Sequence, residues 1–296
     1  MAAIMPPLYI DPPPAGPIRY GLFTAARGPL ELPPHARVGG IEFEPDTCGV
    51  AYAYTAACPI TDQAEKSFDT AGSVQADPYV IYASIVCAPT GRTPAEQSRR
   101  AVARLLAGEQ TVAESALWSG AGVGATPTLT GSGATTVTTT ATGFAARIGA
   151  LEAAFYAAYG YQGTIHINSA AAEPAAAAHI VEQNGAVKTT KLGSVWSFGA
   201  GYGATGPAGA AAGPGQVWAF ITPPVTIWRA TDINTPDPAL TLDRATNQMY
   251  ALAEREYLHA YDCETVFAIQ VPVDGDHGGT PPETPGIVTE QVQEIV

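Results

Sequence analysis

The chain has 296 residues, 46% of them apolar but only 14% charged, and carries a net charge of −13. That length can bury a sizeable core in one large or two medium domains. So few charges imply either a surface of Thr, Ser, Gln and Gly or one covered by other subunits, and with three lysines (Lys66, Lys188 and Lys191) the chain lacks the basic patch of a specific DNA reader.

The first 40 residues carry nine prolines, so this segment should run extended. It also holds Leu8, Tyr9, Ile10, Tyr20, Leu22 and Phe23, which a disordered tail tends to lack. An arm lying across a partner explains both facts. Residues 41–87 read as a long two-stranded excursion, with Gly49–Thr55 as one limb and Tyr79–Val86 as the other. A hairpin of that length is marginal alone in water. Its Tyr52, Tyr54, Phe68, Tyr79 and Tyr82 are therefore expected at an interface, as are Leu8, Tyr9, Ile10, Tyr20 and Phe23 of the arm.

A helix then opens at Thr93-Pro94-Ala95-Glu96, with an N-cap threonine, a first-position proline and a glutamate placed for a capping box. Val102, Leu105, Leu106, Val112 and Leu117 follow as its expected core-facing residues, with Arg99, Arg100, Arg104 and Glu114 mostly elsewhere. At about 1.5 Å per residue, positions 94 to 118 span roughly 37 Å, a spine more than a pocket wall. Arg92, Arg99, Arg100 and Arg104 form the one basic cluster, either meeting a neighbour's acids or lying on a solvated helix face. Ser119–Gly124 stops the helix.

Thr126–Thr142 is low in complexity and should be loop or extended. Gly143–Tyr159 returns to helix and ends at Gly160. Thr164–Ile167 should be a strand, and Ser169–Gln183 a third helix closed by Asn184-Gly185. Strands follow at Ser194–Phe198, Gln216–Ile221 and Val225–Arg229, and Met249–Tyr261 with Thr265–Val271 should make a final antiparallel pair. The tail after Pro272 holds five acids and neither Lys nor Arg. Strands grouped late in a mixed chain indicate an α+β fold.

Chemistry-bearing motifs are weak. Gly199–Gly203 and Gly120–Gly124 do not open a helix after a strand as a dinucleotide site would, and a P-loop lysine is missing. His35, His166, His179, His259 and His277 show no ligand spacing, and His166 and His259 should be packed or hydrogen-bonded within strands. Serine sits in no nucleophile elbow, and Glu254 and Glu256 are best read as ion-pair partners of a neighbouring element. No catalytic set, metal site or cofactor is expected. Cys48, Cys58, Cys87 and Cys263 are scattered, with neither a secretory signal nor an 18-residue apolar run in the chain. The expectation is free buried thiols in a reducing cytosol and no membrane span.

The order of parts (arm, hairpin, spine helix ending in Leu117-Trp118-Ser119-Gly120-Ala121-Gly122, second helix, compact α+β region, terminal strands) resembles the major capsid proteins of tailed bacteriophages with the Hong Kong 97-type fold, a shape shared by encapsulin shells. Gly120–Pro127 is similar to that family's turn after its spine helix, and Gly143–Asn168 to its second peripheral helix entering the axial domain. Trp228-Arg229, Ala251–Tyr257 and Val266–Val271 resemble its closing strands. The chain departs from members that carry a long charged helical N-terminal scaffold. Lys66 lies where some members crosslink, but nothing identifies its partners, so that chemistry is not carried over.

The resemblance implies an N-terminal arm over 1–40 and an extended hairpin, or E-loop, over 41–90. A peripheral domain over 91–164, an axial domain over 165–248, closing strands over 249–271 and an acidic tail over 272–296 follow. It implies a structural subunit, not an enzyme, that assembles with itself into pentamers and hexamers of an icosahedral virion shell around double-stranded DNA. The subunit would be made in the host cytoplasm, with separate scaffolding, portal or decoration proteins as further partners. The alternatives are another virion component (tail, adaptor or decoration protein) and a cytosolic enzyme of unrecognised α+β fold.

Overall fold

A computed structural model describes residues 16, 19–48, 51, 72–87, 93–120, 122–131, 133–237, 243, 245, 248–263 and 265–273. The chain runs α1 (Leu22–Ala25), β1 (Arg27–Glu31), α2 (Ala36–Gly39), β2 (Ile41–Phe43), β3 (Val74–Ala76), β4 (Tyr79–Cys87), α3 (Pro94–Ser119), β5 (Thr135–Thr136) and α4 (Phe144–Tyr159). There follow β6 (Thr164–Asn168), α5 (Ala172–Ala177), β7 (Glu182–Asn184), β8 (Val187–Thr189), β9 (Val195–Gly199), β10 (Gln216–Thr222), β11 (Thr226–Arg229), β12 (Met249–Ala260) and β13 (Phe267–Pro272). This is α+β with two mixed sheets and one small ribbon, β2–β3.

The helix α3 forms because its start is fully specified. Thr93 N–H donates to Glu96 Oε2 at 2.7 Å, Glu96 N–H donates to Thr93 Oγ1 at 3.3 Å, and Pro94 takes the first turn, where its missing N–H costs nothing. It stops at Gly120, whose left-handed φ of 67° closes the last turn. Its 26 residues give a rod of roughly 39 Å at about 1.5 Å per residue. Ala101, Leu105, Ala113, Ala116 and Leu117 make the buried stripe that lies on the first sheet.

That sheet has the order β1-β11-β12-β4. β12 is antiparallel to β4 from Met249↔Cys87 to Tyr257↔Tyr79, and β1 is parallel to β11. Strict alternation along β4 turns Tyr79, Ile81 and Ile85 toward α3 and leaves Val80, Tyr82 and Val86 outside. The second sheet has the order β5-β13-β10-β6-β9-β8-β7. It carries α4 on one face, through Phe144, Ile148, Leu151 and Phe155.

Several expectations give way to this topology. Met249–Tyr261 and Thr265–Val271 do not pair. β12 is an inner strand of the first sheet and β13 an inner strand of the second, and the short link between them changes sheets. The third helix ends at Ala177. His179 adopts a φ of 55°, and Asn184-Gly185 belongs to the tight β7–β8 turn instead of a helix cap. Tyr79–Cys87 is a strand, but its partner is β12, 162 or more residues away (Met249 minus Cys87). The other proposed limb, Gly49–Thr55, lies outside the described residues apart from Ala51. The N-terminal segment joins the body from Tyr20 onward: Leu22 is fully buried and β1 is a sheet strand. α4 packs on the second sheet and α3 on the first.

Candidate functional site

Among the described residues, buried polar groups gather in several places, and three of these constellations tie distant elements together, two of them on α3. Glu109 accepts hydrogen bonds from Arg229 Nη1 at 2.9 Å, Arg255 Nη1 at 3.0 Å and the Tyr257 hydroxyl. One turn along, Glu114 is 0% exposed and accepts from Leu22 N–H at 3.1 Å, Gln110 Nε2 at 2.9 Å and Gly201 N–H at 3.0 Å. Burial raises its pKa, against the lowering pull of those donors. The expectation that Glu114 sits off the buried face is therefore corrected. Its carboxylate joins α1, α3 and the loop after β9, and Gly201 is required there because a Cβ would meet Thr111 O at 2.0 Å.

The third constellation spans both sheets. Thr222 Oγ1 donates to Pro223 O at 2.7 Å, so it accepts from His166 Nε2 at 3.0 Å. His166 Nδ1 then accepts from the Tyr202 hydroxyl at 2.9 Å, which in turn accepts from Ser197 Oγ at 2.6 Å. His259 Nε2 donates to Pro127 O at 2.8 Å, leaving Nδ1 to accept from the Tyr79 hydroxyl at 3.2 Å. Both imidazoles are neutral. Burial, with His259 nearby, lowers His166 to about 3, and burial lowers His259 to about 4. Ser197, Tyr202 and His166 superficially resemble a nucleophile relay. Ser197 and His166 are 0% exposed and Tyr202 is 2% exposed, so no substrate reaches them. These are structural seams.

The expected interface residues divide. Tyr79 is a core residue, stacked on Tyr257 at 6.0 Å and bonded to His259, which removes it from any interface; alternation on β4 points it inward. Phe23, half-buried, stacks on Tyr257 at 6.2 Å, and Tyr20, also half-buried, packs on the α4 core with Lys188 Nζ 4.9 Å from its ring. Tyr82 is 67% exposed on the outer face of β4. Val80 and Val86 are exposed on the same face. Arg99 is exposed and Arg100 half-buried on α3, while Arg104 Nη1 donates to Ser84 O at 2.7 Å and ties the helix to β4. Leu8, Tyr9, Ile10, Tyr52, Tyr54, Phe68 and Lys66 lie outside the described residues.

On α3 itself, Leu105 and Leu117 are buried and Val102 packs against the core. Leu106 is corrected: at 51% exposure it faces away, as does Val112, because successive helical residues turn by about 100° and Leu105 takes the inward position. Glu256 pairs with Arg37 at 3.3 Å and Glu254 accepts from Asn234 at 3.1 Å, around an open polar cleft of about 430 Å³. The free-thiol expectation is corrected as well. Cys48 and Cys263 form a disulfide. Together with Asp262 they are the one group of possible metal ligands found among the described residues, and the sulfurs are engaged with each other. No described helix is long and apolar enough to cross a membrane.

No family model matches the sequence, and no curated protein matches it. Solved structures do. A chain of Microbacterium phage Oxtober96 is 10% identical, over 91% of this chain and 95% of that one, with a TM-score of 0.52. A chain of Gordonia phage Cozz is 11% identical over 89% and 91%, with a TM-score of 0.50. The capsid of the empty GTA particle is 16% identical over 89% and 95%, but its TM-score of 0.48 is too loose to establish a common fold by itself. The first two show a fold shared with phage chains along nearly the whole length, in agreement with the resemblance read from element order.

Proposed function

We propose that this chain is the self-assembling major capsid protein of a tailed phage, with Hong Kong 97-type architecture. The observation that carries the reading is the shared fold with a phage chain over 91% of this chain and 95% of the other. Two features of the surface support it: exposed Val80, Tyr82 and Val86 on β4, and exposed Leu106 and Val112 on the long helix. Function in this account is mechanical. α3 stiffens the subunit as its spine, residues 41–90 and the first residues of the arm reach over neighbours, and 165–248 close the capsomer around the five- and six-fold axes. The wall encloses double-stranded DNA without gripping it, as a net charge of −13 favours.

Electron microscopy and sedimentation of the purified protein test this reading. Shells, tubes or rings of five and six subunits are expected. A stable 30.5 kDa monomer under every assembly condition would refute it.

A further inference from the structure

Cys48 lies in the segment after β2, and Cys263 lies just beyond β12. Noncovalent contacts already hold these two places together. Thr47 N–H donates to Asp262 Oδ2 at 3.2 Å, and the Thr47 hydroxyl donates to the same carboxylate while accepting from Tyr161 OH at 3.1 Å. The two Cα atoms are 5.5 Å apart, inside the range a disulfide spans. These contacts involve neither sulfur, so they do not require the bond between them.

We propose that Cys48 and Cys263 are a redox-operated clasp, open as a dithiol in a reducing cytosol and closed as a disulfide once the protein meets an oxidised environment. Closing fastens residues 44–48 to the end of β12. The inference goes beyond the shell reading and does not depend on it, because the clasp lies within one subunit.

The chemistry balances through thiol–disulfide exchange with a small disulfide such as oxidised glutathione. Cys48 is the point of entry: it is half-buried, whereas Cys263 is 2% exposed. The Cys48 thiolate attacks the small disulfide, forming a mixed disulfide and releasing one thiol. The Cys263 thiolate then attacks Cys48 Sγ, forming the Sγ–Sγ bond and releasing the second thiol. Two electrons and two protons pass from the cysteines to the small disulfide. The closed ring takes in residues 48–263, a separation of 215, so the effect on the unfolded chain is large.

The experiment compares protein trapped with a thiol alkylator at cell lysis, the same protein after oxidised glutathione, and the re-reduced form. Trapped protein should carry four alkylated cysteines. The oxidised form should carry two, at Cys58 and Cys87, with Cys48 linked to Cys263 in a non-reduced digest. Its melting temperature should exceed that of the reduced form by about 5–10 °C, reversibly. Cys48→Ser should melt where reduced wild-type protein melts and ignore both reagents. The proposal is overturned by a disulfide already complete in trapped cytosolic protein, by linkage through Cys58 or Cys87, or by a melting temperature indifferent to oxidation. It is overturned equally if reduced protein holds one zinc ion per chain that Cys48→Ser releases, which would make the pair a metal site with Asp262. Loss of the clasp with intact shells, or the reverse, separates this inference from the proposed function.

Discussion

Replacing Glu109 with leucine should be among the most damaging single changes in α3. Its carboxylate faces two guanidiniums that differ in exposure: the Arg255 side chain is 9% exposed and the Arg229 side chain 32%. Arg229 can turn to water, so little of the loss falls there. Arg255 cannot, and its Nε already lacks a partner. Removing one member of a buried pair costs about 3–5 kcal/mol, since the other charge is stranded. The Tyr257 hydroxyl loses its acceptor too, for about 1–3 kcal/mol. Adding Arg255→Met to Glu109→Leu should recover the first term and leave the second, so the double variant should sit within about 1–3 kcal/mol of wild type. Adding Tyr257→Phe should recover most of the rest. The assay is equilibrium urea unfolding of the subunit, with the midpoint read at an unchanged slope. A single-variant cost below about 1 kcal/mol, or a double variant as costly as the two singles added, would refute the stranded-charge reasoning.

Leu105→Ala should destabilise the free subunit by about 2–5 kcal/mol and Leu106→Ala by under about 1 kcal/mol, measured by the same unfolding curves; equal costs would show that the inward position is misassigned. Gly201→Ala drives a methyl into the Thr111 carbonyl and should cost about 1–3 kcal/mol or prevent folding, whereas Gly149→Ala, with open space at its Cβ, should be tolerated, as thermal melts would report. Stability should fall as pH drops from about 6.5 toward 4, because the unfolded chain protonates His166 and His259 while the native chain holds them at about 3 and about 4. Glu114, with its raised pKa, acts in the opposite sense but is one group against two. A melting temperature flat over that window would contradict the neutral, buried assignment.

What the sequence disclosed was local. The Thr93–Glu96 capping box and the strand at Tyr79–Cys87 each lie within a few residues, and both emerge as read. The buried acids were illegible for the converse reason. Glu109 and Glu114 look like solvent-facing charges until Arg229, Arg255, Leu22 and Gly201, all distant in sequence, arrive around them. The Cys48–Cys263 pairing is hidden by a separation of 215 residues. Leu105 and Leu106 were ambiguous because adjacent helical leucines fit a broad apolar stripe equally well, and only packing chooses between them. The sheet change between β12 and β13 leaves no local trace, since two apolar runs joined by a short link also describe a hairpin.

The central claim is that this chain builds a closed wall. Cryo-electron reconstruction of particles formed by the purified protein tests it most directly. The account predicts a continuous shell of this fold in five- and six-fold rings, with Tyr82 on the outer face of β4 and Leu106 on α3 covered by neighbouring subunits. Particles whose wall is another protein, or a chain that stays monomeric with both faces bare, would contradict it.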